Sequence, residues 1–395
     1  MQSARAAAGK IRDSIRQNID SYRIFDIENA RVQIAALREY VSKITENFSD
    51  LIIIGMGGAI LNPRTLVEFN LEANLKVRIH FIDNTDPIFL QKLLAGLRLQ
   101  SCAVLAISNS GQTIETNSLV GVTISLFEQN NIQNFGKNFF FITNSTGGML
   151  YHIGRKINAT IISHTANISG RFSGLTNVTT FAGAIAGIDV EEYIEGAKDA
   201  LDSFVNDKHD SSSDALISAA SIYSSEKRVM INIGYLQQFK AYLEWYSQII
   251  AESLGKQSPD KVDRSIIPLH GLGPNDQHSM LQLYLEGADD KIYSLFYVRN
   301  IKSEFNLINY EELCNLGGKN LADINSINYK ATLNALAEKA RPLRIIELKD
   351  LSVGSMGALV VHSMLEIIIL AHIMGINPFN QPGVELIKNN VAALL

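Results

Sequence analysis

A chain of 395 residues is too long for one ordinary hydrophobic core and predicts two domains. Its 46% hydrophobic and 19% charged residues describe an ordinary globular protein with ample apolar surface to bury. A formal charge of −5 argues against a nucleic-acid or acidic-membrane partner. The two cysteines, Cys102 and Cys314, lack CxxC spacing, which predicts reduced, packed thiols in a cytoplasmic protein rather than a disulfide or zinc framework. The first 25 residues contain no continuous apolar run, so no signal peptide is expected.

After an N-terminal helical segment, residues 1–48, the first strand-like run (51–56, LIIIGM) leads into the glycine cluster GMGGAI, 55–60. Glycine lets backbone approach a ligand closely, so Gly57 and Gly58 read as a sugar-contacting turn or as a tight strand-to-helix turn with no ligand. Half of a dinucleotide fingerprint is a third reading, with Asp83 at the end of the second strand (76–83) as the ribose acid. Ile60 stands where that fingerprint needs its last glycine, which weighs against a nicotinamide cofactor. The third strand, 102–107, breaks into a loop holding Ser108, Asn109, Ser110, Gly111 and Thr113, and a helix runs from Thr113 to Gln129. Hydroxyls and flexible backbone before a helix N-terminus suit an anion, above all a phosphate. Without the Lys-Ser/Thr of a P-loop, a small phosphate monoester is the better occupant, and a simple hydroxyl cap is the alternative. Strands at 138–143 and 159–163 come next. Arg171, in ISGRFSGLTNV, lies between small residues, as an anion-binding guanidinium or a surface salt bridge.

The polar stretch NDKHDSSSD, 206–214, marks the domain boundary. Alternation then resumes with a strand at 229–233 and a helix around 236–253 that carries Gln248 and, one turn on, Glu252. Glu252 is either a solvated helix-end charge or a general base; Gln248 on the same face suits a ligand hydroxyl. HGLGPNDQHSMLQLYLEG, 270–287, reads as an irregular loop entering a helix, with His278 at the helix start as proton shuttle or cap. His270 lies nearby, but nothing supplies the other ligands of a metal site, so none is expected. Strands at 292–298 and 343–348 precede a helix from about 355 to 374. Its apolar stretch is interrupted by His362, Ser363, Glu366 and His372 and predicts a buried helix rather than a membrane span. A Pro-containing turn and a short C-terminal helix end the chain. Throughout, the alternation predicts α/β architecture on largely parallel sheets, the two halves being possible copies of one plan.

Four blocks, GMGGAILNP (55–63), ISNSGQTIET (107–116), GPNDQHSMLQLYLEG (273–287) and INPFNQPGVELIK (376–388), resemble the phosphoglucose isomerase family, with GRFS (170–173) and AESLGK (251–256) falling in the same order. The resemblance spans nearly the whole chain and is most specific in the last block. It implies two doubly wound sugar-isomerase (SIS) domains with helices on both faces, at 49–205 and 206–370, and a C-terminal arm, 371–395, that completes the active site. It further implies interconversion of glucose 6-phosphate and fructose 6-phosphate through ring opening and a cis-enediol, in glycolysis and gluconeogenesis, by a cytoplasmic homodimer with shared sites and no cofactor.

Carried over position by position, the resemblance makes Ser108, Asn109, Ser110 and Thr113 the phosphate loop and Gly57 and Gly58 substrate contacts. Glu252 becomes the carboxylate that moves the proton and Arg171 the group that stabilises the enediol. His278, with Lys388, opens the ring; Glu115 lies near the histidine; Gln248 and Gln381 contact the sugar. Four positions depart from the family's pattern: Ala59 for serine, Asn109 for lysine, Asn380 for aspartate and Ile387 for glycine. The same machinery suits a bifunctional or mannose-6-phosphate isomerase. A non-catalytic phosphosugar-binding protein would have no need of Glu252, His278 and Lys388 together.

Overall fold

The computed structural model describes the chain except residues 71–75, 145, 208–213, 258–264, 306–315 and 395. Cys314 and most of the expected boundary stretch 206–214 therefore lie outside the described residues. The chain divides into two units: Ser14–Leu201 with Met356–Val360, and Met1–Asp13 with Asp202–Ser355 and Val361–Leu395.

The first unit is built on five parallel strands, β1 (Asp50–Ile54), β2 (Arg78–Ile82), β3 (Cys102–Ile107), β4 (Phe139–Thr143) and β5 (Thr160–Ser163), in the order β2-β1-β3-β4-β5. The three central strands are buried on both faces, which is why they read as continuous apolar runs rather than alternating ones. Side-chain alternation divides the core into two layers. Leu51 and Ile53 join a layer with Leu37 and Ile44 of helix α1 (Ile27–Asn47), while Ile52 and Ile54 join Leu119, Val120 and Phe127 on the other side. Helices thus cover both faces. Cys102 is buried in this core as a free thiol, and burial pushes its pKa up to about 12.

In the second unit four parallel strands, β6 (Val229–Gly234), β7 (Ile267–Leu272), β8 (Lys291–Val298) and β9 (Leu343–Leu348), run in the order β7-β6-β8-β9. This repeats the first four positions of the other sheet, as expected of two copies of one plan. The sequence reading gives no strand at 267–272 and takes 270–287 as an irregular loop; IPLHGL forms β7 at the sheet edge, where the missing N–H of Pro268 is tolerated. Beyond β7 come a five-residue helix, Asn275–Ser279, and a second short one, Leu281–Glu286.

The long helix Val353–Ile373 has the length and mean hydropathy of a membrane span, but 78% of its apolar window is buried inside the protein. Its Glu366 is fully buried and meets Arg344 of β9 at 3.0 Å, while the Tyr246 hydroxyl donates to the other carboxylate oxygen. Burial alone would raise the Glu366 carboxyl. The Arg344 guanidinium, helped by His362, outweighs that and holds it at about 2.

Candidate active site

In the first unit the strand order reverses direction between β1 and β3, and open α/β sheets bind ligands beyond the carboxyl ends of such a pair. The glycine cluster follows β1 and the hydroxyl loop follows β3. Ser108 Oγ and Thr113 Oγ1 share a hydrogen bond of 2.9 Å, while Ser110 Oγ accepts from Gln112 N at 3.2 Å. The next helix, α2 (Ile114–Gln129), makes its first backbone bond from Asn117 N to Thr113 O. The N–H groups of Ile114, Glu115 and Thr116 consequently have no helical carbonyl to bond and face an anion's natural position. Gly111 turns the loop at φ +66°, where its missing Cβ leaves room for Thr143 Oγ1 and Gly148 Cα at 3.0 and 3.1 Å. Asn109 donates to Ile168 O at 3.2 Å, so its amide braces the loop. Glu115, in the first turn of α2, is exposed.

The two glycines have different jobs. Gly57 sits at φ +55°, a conformation other residues rarely adopt. Gly58 opens the helix Gly58–Phe69, whose start presses on the backbone of the Arg171 segment: a Cβ there would collide with Gly170 C and O. Asn62 staples the two together, its amide donating to Gly58 O at 2.6 Å and Gly170 O at 2.9 Å. Sequence reasoning missed Asn62, although it lies inside GMGGAILNP. Arg171 itself is 1% exposed, so the surface salt-bridge reading fails; its guanidinium lies over the Phe172 ring. Asp83, the would-be ribose acid, pairs with Arg64 at 2.8 Å, which removes the dinucleotide reading's acidic partner.

In the second unit, Gln248 and Glu252 stand one turn apart on the helix Phe239–Leu254, and Gln248 Nε2 donates to Glu252 Oε1 at 2.7 Å. The other end of that amide, Gln248 Oε1, is buried with no hydrogen-bond partner. Because this helix packs on β7 as a crossover between parallel strands, its last turn lies at the amino ends of the strands, away from the switch-point position. His278 is exposed on the five-residue helix, which Gln277 anchors by donating to Asn328 O (2.8 Å), the Tyr235 hydroxyl (3.2 Å) and Thr332 Oγ1. His270 pairs with Ser247 Oγ at 3.0 Å. Gln381 precedes the C-terminal helix Pro382–Leu394, to which Lys388 belongs. Among the described residues no cluster of three or more His, Cys, Asp or Glu could hold a metal ion.

A family model described as phosphoglucose isomerase matches residues 31–394. The chain belongs to the phosphoglucose isomerase family. It is 31% identical over 350 residues to the glucose-6-phosphate isomerase of Methanocaldococcus jannaschii, covering 87% of this chain and 83% of that one. Among solved structures, a hypothetical protein of Thermus thermophilus superposes with a TM-score of 0.87 at 25% identity, covering 98% of this chain and 94% of that one. A glucose-6-phosphate isomerase of Chlamydia trachomatis shares the fold, with a TM-score of 0.78 at 22% identity over 92% of this chain and 73% of that one. As a member of this family the chain is an isomerase of sugar phosphates, interconverting glucose 6-phosphate and fructose 6-phosphate. Of the positions expected to depart from the family's pattern, Asn380 Oδ1 accepts from Lys256 at 3.1 Å and Ile387 is exposed on the C-terminal helix.

Proposed function

We propose that the family reaction runs here through the residues singled out in the sequence, acting without a cofactor. The cyclic sugar opens first: His278, with Lys388, protonates the ring oxygen and relieves the C1 hydroxyl of its proton. Glu252 then takes the proton from C2 of glucose 6-phosphate and returns it to C1, leaving fructose 6-phosphate; the reverse transfer runs the reaction backwards. In between, the enediol oxygen carries negative charge, and Arg171, buried and permanently cationic, offsets it. The phosphate takes no part in bond making. Ser108, Asn109, Ser110 and Thr113 hold it, with Gly57 and Gly58 nearby, so that its binding energy fixes the sugar in register. Gln248 and Gln381 contact sugar hydroxyls, and Glu115 lies near the histidine.

One observation carries this reading above the others: the paired hydroxyls of Ser108 and Thr113 stand in front of the unbonded N–H groups of a helix, a cradle whose chemistry suits an anion. The buried, unpartnered Oε1 of Gln248, one turn from Glu252, adds an acceptor for a sugar hydroxyl. We further propose a cytoplasmic homodimer in which His278 serves the partner's substrate. An exposed histidine with no hydrogen-bond partner among the described residues of its own chain supports sharing, and a buried free thiol supports a reducing compartment.

The test is to incubate the pure protein with fructose 6-phosphate and assay both glucose 6-phosphate and mannose 6-phosphate. Glucose 6-phosphate alone is the expected product; mannose 6-phosphate in comparable yield means a bifunctional enzyme, and neither product refutes the reading. For the shared site, inactive His278→Ala and Glu252→Gln subunits regain activity when mixed. No recovery after verified subunit exchange rejects it.

A further inference from the structure

We propose that Lys256 is a positioning residue that clamps the start of the C-terminal arm, and so sets where Gln381 and the helix bearing Lys388 stand. This rests on the functional reading above, since it matters to catalysis only if the arm does. The long helix Val353–Ile373 ends at Gly375, which turns at φ +69°. Buried Ile376 and Pro378 then seat the chain. Between them Asn377 folds back on itself, its Oδ1 accepting from Phe379 N at 2.9 Å, a side-chain turn that points carbonyls to one side. Into those carbonyls projects the ammonium of Lys256. It donates to Asn377 O, to Asn380 O at 2.7 Å and to Asn380 Oδ1 at 3.1 Å.

Three oxygens match the three N–H donors of an ammonium, so the contact is directional and not merely an electrostatic approach. Its origin matters as much as its target. Lys256 follows Gly255, the residue that closes the Glu252 helix, with Gly255 N donating to Ala251 O at 2.9 Å. A single lysine four positions past Glu252 thus ties the end of the proton-transfer helix to the segment that leads into Gln381. Asn380 offers a neutral oxygen, so the clamp is a charge–dipole contact rather than an ion pair.

Variants on both sides of the contact test the clamp. Lys256→Met keeps the length of the side chain and removes all three donors; Lys256→Arg keeps charge and donors. With Lys256→Met we expect kcat/KM to fall about tenfold or more, as for the loss of charge-assisted hydrogen bonds. Amide exchange across 376–388 should accelerate, with exchange across the Glu252 helix and β6 unchanged. Lys256→Arg restores most of the activity and the protection. On the other side, Asn380→Asp adds a negative charge and should slow exchange across 376–388. Unchanged arm exchange in both Lys256→Met and Asn380→Asp overturns the clamp, as does loss of protection throughout the unit, which would mean a general folding role. Failure of the catalytic reading looks different: Lys256→Met would free the arm while kcat/KM stayed at the wild-type value.

Discussion

The hydroxyl loop at 107–116 and the helix end at 248–256, to which the proposed mechanism gives different halves of the chemistry, differ in how their positions are explained. The loop lies where an open parallel sheet is expected to bind a ligand, beyond the carboxyl ends of β1 and β3. Its parts are backbone N–H groups and small hydroxyls, which hold a charge without reacting. The helix end lies at the amino ends of the strands, where no general rule of the fold places a site. There a carboxylate, an amide and a lysine cluster within about two turns. In the proposed mechanism the first region binds by its place in the fold, whereas the second acts by the identity of its side chains.

Substitutions with distinct kinetic signatures can undo that contrast. The largest effect belongs to Glu252→Gln, which should lower kcat by about 10² to 10⁴, as for a lost general base, with KM little changed. Near-normal turnover in steady-state assays removes Glu252 from the mechanism. Next is Glu366→Leu, which strands Arg344 in the core of the second unit and should cost about 3–5 kcal/mol of stability in denaturant unfolding. The wild type carries the matching pH dependence. Because the folded carboxyl titrates at about 2 rather than at its ordinary 4.5, its stabilisation is complete above 4.5 and disappears as pH falls toward 2. In the double variant Glu366→Leu/Arg344→Met that part of the acid loss should vanish.

Gly58→Ala approaches the same contrast from the loop's side. The added methyl collides with the Gly170 backbone, so Arg171 must shift, and we expect about 1–3 kcal/mol of destabilisation together with reduced activity. Full stability in thermal unfolding would show that the turn yields without disturbing Arg171. The smallest effect is that of Ser108→Ala, about 2- to 10-fold in kcat/KM for the loss of one neutral hydrogen bond, felt mainly in KM. A change confined to kcat would place the hydroxyl in the chemical step and blur the distinction between the two regions.

Most strands and the long helices were legible because a strand buried on both faces has to be apolar throughout, as CAVLAI and NFFFIT are. The edge strand β7 was not, because Pro268 and Gly271 fit a strand only at an edge, and which strand lies at the edge is decided by neighbours distant in sequence. The loop's hydroxyls next to a helix start could be read locally. The ties that position the site could not. Asn62 on Gly170, Gln277 on Asn328 and Thr332, and Lys256 on Asn380 join segments separated by 108, 51 or 55, and 124 residues.

From the sequence alone came the alternating α/β plan, the hydroxyl loop before a helix start and, through whole motifs, the family and its candidate residues. Those depend on residue type and short spacing, which a linear chain displays. Tertiary structure decided which glycine is needed for φ and which for close approach, that Arg171 is buried, and what braces each functional segment. Such facts arise only when distant backbone meets, and a sequence does not carry distances.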